Sequence, residues 1–225
     1  MERPQTSLVP YFSSMKFDWQ NHLVNFFLIV FSILLAFQLE RCSSDHREQR
    51  LVNAHLEEIV EETRFNLESH RETIEGQRRQ LGHLDSLLAL IRRREDPARI
   101  NPAVMQAMNM SLPFTKTTAY NTFIQTGDIR YLHDFDIKSD LISLYEFYEI
   151  ARIYSDLMVE NYDNGFFSHI KANLDIVGQE PQALDAYTDR GFVNSIASIR
   201  YFVGNSIAML EDDVERMEAF IEKRE

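Results

Sequence analysis

Cysteine is almost missing from this sequence. With Cys42 alone, the chain can build neither an internal disulfide framework nor a zinc ribbon. Glycine and proline are scarce too, seven and six in 225 residues. That is low against ordinary usage, suits long helices, and leaves too few glycines to cradle a phosphate. Basic residues are outnumbered, 23 Lys and Arg against 35 Asp and Glu, for a formal charge of −12. Such a chain lacks the basic stripe that nucleic acid requires, so no nucleic-acid partner is expected. Broad attraction to anionic headgroups is excluded on the same ground. No Gly-x-Ser-x-Gly, His-Glu-x-x-His or P-loop pattern occurs, and the usual hydrolytic, metalloprotease and nucleotide signatures go with them. The expectation is a protein that is not an enzyme and has no cofactor.

One long uncharged run is present. Between Trp19 and Leu39 there is no Asp, Glu, Lys or Arg, and the core reads LVNFFLIVFSILLAFQL. About 20 apolar residues in a helix cross a bilayer's hydrocarbon region. The run therefore predicts a transmembrane helix over residues 19–40, preceded by a short tail (1–18) and followed by a domain over 41–225. A cleaved signal peptide would end in small residues. Here the exit is Gln38-Leu39-Glu40-Arg41-Cys42, so a retained anchor is expected, with the lipid bilayer as its partner. Lys16 and the more distant Arg3 face Arg41, Arg47 and Arg50 across the span, which slightly favours a cytoplasmic main domain and does not fix the side. Trp19, Phe17 and Tyr11 suit an aromatic belt.

After the anchor the pattern is helical. Leu56, Val60, Leu67, Ile74, Leu81, Leu84, Leu88 and Ile91 alternate steps of four and three, the heptad rhythm. Glu95-Asp96-Pro97 ends this helix. Asn101 reads as the cap of a short helix with Pro102 in its first turn. Another short helix runs from Thr117 to Thr126 and stops at Gly127. A second long helix starts at Asp136 and continues to about Ile170 or Leu174, and a last one follows Arg190-Gly191. The fold class is all-α: an N-terminal transmembrane helix continuing into an antiparallel helical bundle with long heptad-patterned helices.

The segment Ile33-Leu34-Leu35-Ala36-Phe37-Gln38-Leu39, the run Thr118-Ala119-Tyr120-Asn121-Thr122-Phe123-Ile124-Gln125-Thr126-Gly127, and the tyrosines Tyr145 and Tyr148 resemble a family of bacterial single-pass membrane proteins of unknown function. Its members have an Ala-x-Gln anchor end, a long charged helix and a central aromatic-x-x-Ile/Leu-x-x-x-Gly segment. The resemblance implies the inner (cell) membrane of a bacterium and brings no activity.

Two groups are candidate sites. Thr63, His70 and Gln77 interrupt one seam of the heptads, and His169 lies close to the seam of the second long helix. Were His70 and His169 to meet inside the bundle, they would bind a metal or titrate near neutrality. The preferred reading is that the three seam residues are polar positions that fix register and oligomer state, with no metal. The second group is the connector with Gln125, Gly127, Asp128, Arg130 and Tyr131, a candidate interaction loop. Its structural reading makes Gly127 a helix cap and Tyr131 a plug at the bundle end. The function expected is a membrane-anchored, non-enzymatic interaction or scaffold module that self-associates or binds a partner membrane protein. The alternative is a membrane-tethered ligand-sensing bundle acting through a partner protein. An aromatic-lined pocket at the polar seam would favour the alternative.

Overall fold

A computed structural model describes residues 19–224, apart from the side chains of residues 20–22. The expected N-terminal tail, with Arg3, Tyr11, Lys16 and Phe17, lies outside the described residues. The chain divides into two compact units, Met1–Glu48 and Gln49–Glu225.

The described part of the first unit is helical throughout and belongs to helix α1 (Trp19–Arg92). Its large apolar side chains, Leu23 to Leu39, are all exposed. The helix is long and apolar enough to cross a membrane, and none of its apolar window is buried. Residues 41–48 remain exposed or half-exposed, so the second unit begins beyond the expected end of the anchor.

The second unit is a bundle, and no strand occurs among the described residues. Its helices are the remainder of α1, then α2 (Pro97–Ala107), α3 (Thr118–Gln125), α4 (Phe135–Asn161), α5 (Ser168–Asn173), α6 (Leu184–Thr188) and α7 (Arg190–Glu222). Asp96, Asp134 and Asp189 cap α2, α4 and α7 by accepting from the amides of Ala98, Ile137 and Phe192. Acidic caps of this kind satisfy amides that the first turn leaves without partners. Asn101 is therefore not a cap. It is buried inside α2, where Nδ2 donates to Gln179 O and Oδ1 accepts from Tyr187 Oη. Pro102 sits within the helix rather than at its start. The second long helix is also not uniform. After Asn161 a π-turn over Tyr162–Phe167 inserts before α5, a local widening that heptad spacing does not reveal. Gly165 lies there because a Cβ would meet Ser195 of α7 at 2.9 Å.

Direction follows from the contacts. Arg78 of α1 pairs with Glu211 of α7 at 2.6 Å, while Arg71 pairs with Glu218 and Asp85 with Arg200. Rising numbers on α1 meet falling numbers on α7, so the two are antiparallel. Helix α4 is antiparallel to α7 as well, through Asp140–Lys223 and Tyr154–Phe202. It follows that α4 runs in the same direction as α1. A parallel pair needs a return leg, and residues 93–134 provide it.

Apolar burial concentrates at the two ends. One cluster joins Val52 and Ile59 of α1 to Phe123, Leu141, Leu144, Tyr148, Met217 and Phe220. The other joins Leu84, Leu88 and Ile91 to Val104, Phe166, Phe192, Ile196 and Val203. Between them α1 buries Glu62, Thr63, Asn66, His70, Thr73, Gln77 and Gln80, and α7 buries Ser206 and Asp213.

Candidate functional site: a polar track and an aromatic cleft

The return leg contains residues 109–117, which form no helix. An extended backbone beside a helix has no ladder to join, so its amides and carbonyls must find other partners. They find the polar stripe of α1. Gln77 Nε2 donates to Ser111 O at 3.0 Å, and Phe114 N donates to Ser69 Oγ at 3.1 Å. Asn66 pairs with Lys116 twice, donating to its carbonyl at 2.8 Å and accepting from its amide at 2.7 Å. That carboxamide does for Lys116 what a neighbouring strand would do. Glu62 Oε2 accepts from Ala119 N at 2.9 Å. As α1 numbers fall from 77 to 62, partner numbers rise from 111 to 119, so the segment is a strap laid antiparallel along α1. Where it begins, a side chain at Gly76 would collide with Ser111, since a Cβ there would lie 2.7 Å from Ser111 Cβ.

His70 and Asp213 sit at the centre of this track. His70 Nε2 lies 3.0 Å from Thr115 Oγ1, and Nδ1 lies 3.9 Å from Asp213 Oδ2. The second distance is too long for a hydrogen bond. Both side chains are fully enclosed, and burial disfavours their charged forms. Burial lowers the His70 imidazole to about 4. Burial, aided by the charge of Asp212 and opposed by Arg216, raises the Asp213 carboxyl to about 7. His70 Nδ1 and both Asp213 oxygens make no hydrogen bond to protein groups. Tyr145 Oη donates to Glu62 Oε1 at 2.6 Å. Burial first, then the Glu62 contact, push this phenol upward. Tyr148 Oη lies beside Thr63 and Asn66 without reaching hydrogen-bond geometry.

On the outer side of the same tyrosines is a cleft of about 480 Å³. One wall is the strap, with Leu112, Pro113, Phe114 and Thr115, and the other is α4, with Tyr145, Tyr148, Arg152 and Ser155. Tyr120 of α3 stacks on Tyr145, with ring centroids 4.0 Å apart and planes 12° apart. Arg152 is held by Glu149 at 2.6 and 2.9 Å and by Asp156 at 2.9 Å. Mostly apolar walls with a few placed polar groups are what small-molecule sites offer.

The fold brings Thr63, His70 and Gln77 onto one buried track. It does not bring His169 to them. His169 Nε2 lies 2.7 Å from Ala186 O, and its ring stacks on Phe192 at 4.3 Å in the other cluster. Among the described residues no three His, Cys, Asp or Glu side chains gather so as to hold a metal ion. The connector has a left-handed Gly127 (φ 77°) after Gln125 and a 3₁₀ turn over Asp128–Tyr131. Asp128 Oδ2 accepts from His55 Nε2 at 3.0 Å, which holds its carboxyl below the usual range. Arg130 lies 4.6 Å over the Tyr131 ring, and the following Leu132 is buried.

Sequence reasoning did not place Glu62, Ser69, Asn66 or Asp213 on this track. The first three follow the same four-three spacing as His70 and Gln77, so the width of the polar stripe was available. Its burial was not, because a non-helical strap leaves no periodic signal. Family models, curated proteins and solved structures give no match to this chain.

Proposed function

We propose that this chain is a membrane-anchored, non-enzymatic recognition module in which the strap–α4 cleft binds a small ligand and reports it to α1. The observation that carries the reading is the cleft itself. Its aromatic floor is the outer side of Tyr145 and Tyr148, and the Tyr145 hydroxyl bonds Glu62 on the polar track of α1. One of its walls is held by side-chain hydrogen bonds rather than by a packed core. A ligand that displaces the strap must therefore break or remake bonds on α1, so its binding energy acts on two arrangements of the same helix. The apolar run at residues 19–40 belongs to that helix, and it would hold the module in a bacterial inner membrane. Burial of Leu84, Leu88 and Ile91 within the chain takes those heptad positions out of any contact with a second copy or a partner membrane protein.

The test is ligand retention. The full chain in detergent is dialysed against a bacterial metabolite extract, and bound compounds are identified by mass spectrometry. Ser155→Trp, which fills the cleft from α4, serves as the comparison. A compound enriched by the unmodified chain and not by the variant supports the reading. Equal retention by both, or none by either, overturns it. Hydrogen exchange at residues 111–117 should rise when the compound is present, because displacing the strap frees its amides from α1.

A further inference from the structure

We propose that the outward face of α4 docks a basic amphipathic helix from a partner protein. This goes beyond the cleft and does not depend on it. Ile142, Ile150, Ile153 and Leu157 are exposed at 38, 50, 48 and 48%. At 100° per residue these four positions fall within a quarter-turn arc of α4, so they form one stripe rather than scattered surface residues. An apolar stripe on a helix that already buries its opposite face marks an interaction surface. The spacing of Ile150, Ile153 and Leu157 is three then four, which is the register a second helix reads.

Charge identifies the occupant. Glu146 lies within the stripe, and Glu149, Asp156 and Glu160 follow one edge, all exposed. Against these four carboxylates stand Arg152, which Glu149 and Asp156 already engage, and the half-buried Lys138 one turn before Ile142, so the face remains net acidic. A second copy presenting the same face would set carboxylates against carboxylates, which opposes pairing. An anionic lipid surface is repelled likewise. A helix with an apolar seam flanked by Lys or Arg satisfies both the stripe and its edge.

The experiment uses the full chain in zwitterionic-lipid nanodiscs, with empty nanodiscs as the blank. The probes are two fluorescent synthetic helices of about three heptads, leucine at the seam positions, one flanked by lysine and one by glutamate. Anisotropy is expected to report binding of the lysine helix alone, weakening with added salt. Ile150→Ser/Ile153→Ser should weaken it at least tenfold, while circular dichroism stays unchanged because both positions are exposed. The Ser155→Trp cleft variant should bind the lysine helix normally, so failure of the cleft reading and failure of this one are distinguishable. Equal binding of both helices overturns the proposal, as does undiminished binding to the double serine variant. A dimer of the unmodified chain that the serine variant dissolves would make a second copy the occupant and would also overturn it.

Discussion

The bundle has two kinds of interior. Around Phe166, Phe192 and Ile196 it is apolar and closed mainly by packing, with the rings of Phe166 and Phe192 stacked at 5.5 Å. Around His70 it is polar, and α1 meets an extended strap through side-chain hydrogen bonds. Packing of the first kind is worth more per residue, because apolar burial carries no desolvation cost. The second kind is more readily altered, because each bond exchanges with water at a small net cost. The stable end and the adjustable middle lie on the same helix, as a recognition module needs.

The largest effect expected from breaking this contrast is at the apolar end. Phe192→Ala should cost about 3–5 kcal/mol, the range for emptying an aromatic core site. Urea unfolding of the full chain in detergent checks it. Hydrogen exchange at residues 111–117 should rise no more than elsewhere, since the strap is held by another part of α1.

Next comes Asn66→Ala. It removes both bonds to Lys116 and leaves a partly buried amide and carbonyl without partners, each costing about 1–3 kcal/mol if water cannot replace them. Strap residues are solvated on one side, so a loss of about 2 kcal/mol is expected. In contrast to Phe192→Ala, exchange should rise selectively at residues 111–119. A uniform rise would show that the strap is no separate element.

How far the sequence reaches follows the same division. Apolar seams were legible in part, because heptads are local signals: Ile74, Leu84, Leu88 and Ile91 are buried as their spacing implies, while Leu56, Val60, Leu67 and Leu81 are only half-buried. Helix starts were less so, since Asn101 reads as a cap and the capping aspartates Asp96, Asp134 and Asp189 are not recognised. That Thr63, His70 and Gln77 break a seam was legible too. What lies against them was not. The strap pairs through its backbone, which any sequence supplies, and Asp213, although it holds the seam spacing between Leu210 and Met217, is passed over for its apolar neighbour Val214. The parallel course of α1 and α4 was hidden for the same reason, since it depends on a return leg with no pattern of its own. The π-turn was hidden because Tyr162, Phe166 and Phe167 look like ordinary core residues of a helix.

Acidity offers a sharper probe of the polar middle. The folded state holds His70 at about 4 against an ordinary 6.5. From pH 4 to 6.5 the unfolded chain thus binds a proton there that the folded chain does not, and this contribution to stability grows as pH rises. Asp213 is held at about 7 against an ordinary 3.8. From pH 3.8 to 7 the folded chain holds a proton that the unfolded chain has released, and this contribution falls as pH rises. The two nearly cancel between pH 4 and 6.5. Removing one group should expose the other. Asp213→Asn should make stability climb with pH over that window, and His70→Gln should make it decline, each by up to about 1.4 kcal/mol per pH unit. Urea titrations at several pH values read both slopes. Parallel profiles for the two variants would refute the assignment.

The smallest effect separates strap from solvent on α1 itself. In an exposed helix interior, Gly→Ala usually gains about 1 kcal/mol. Gly82 should follow that rule, since a Cβ there meets nothing within 4 Å. Gly76 should not. Its added methyl would press on Ser111 Cβ at 2.7 Å, and the strap would have to withdraw from Gln77, lengthening the bond to the Ser111 carbonyl. Crowding of this kind costs about 1–3 kcal/mol, enough to cancel the helix gain and leave a net loss of about 1 kcal/mol. Thermal unfolding of Gly76→Ala and Gly82→Ala side by side should therefore move in opposite directions. A shared stabilisation would mean that the strap yields freely at Ser111, and that the polar middle holds it more loosely than its hydrogen bonds imply.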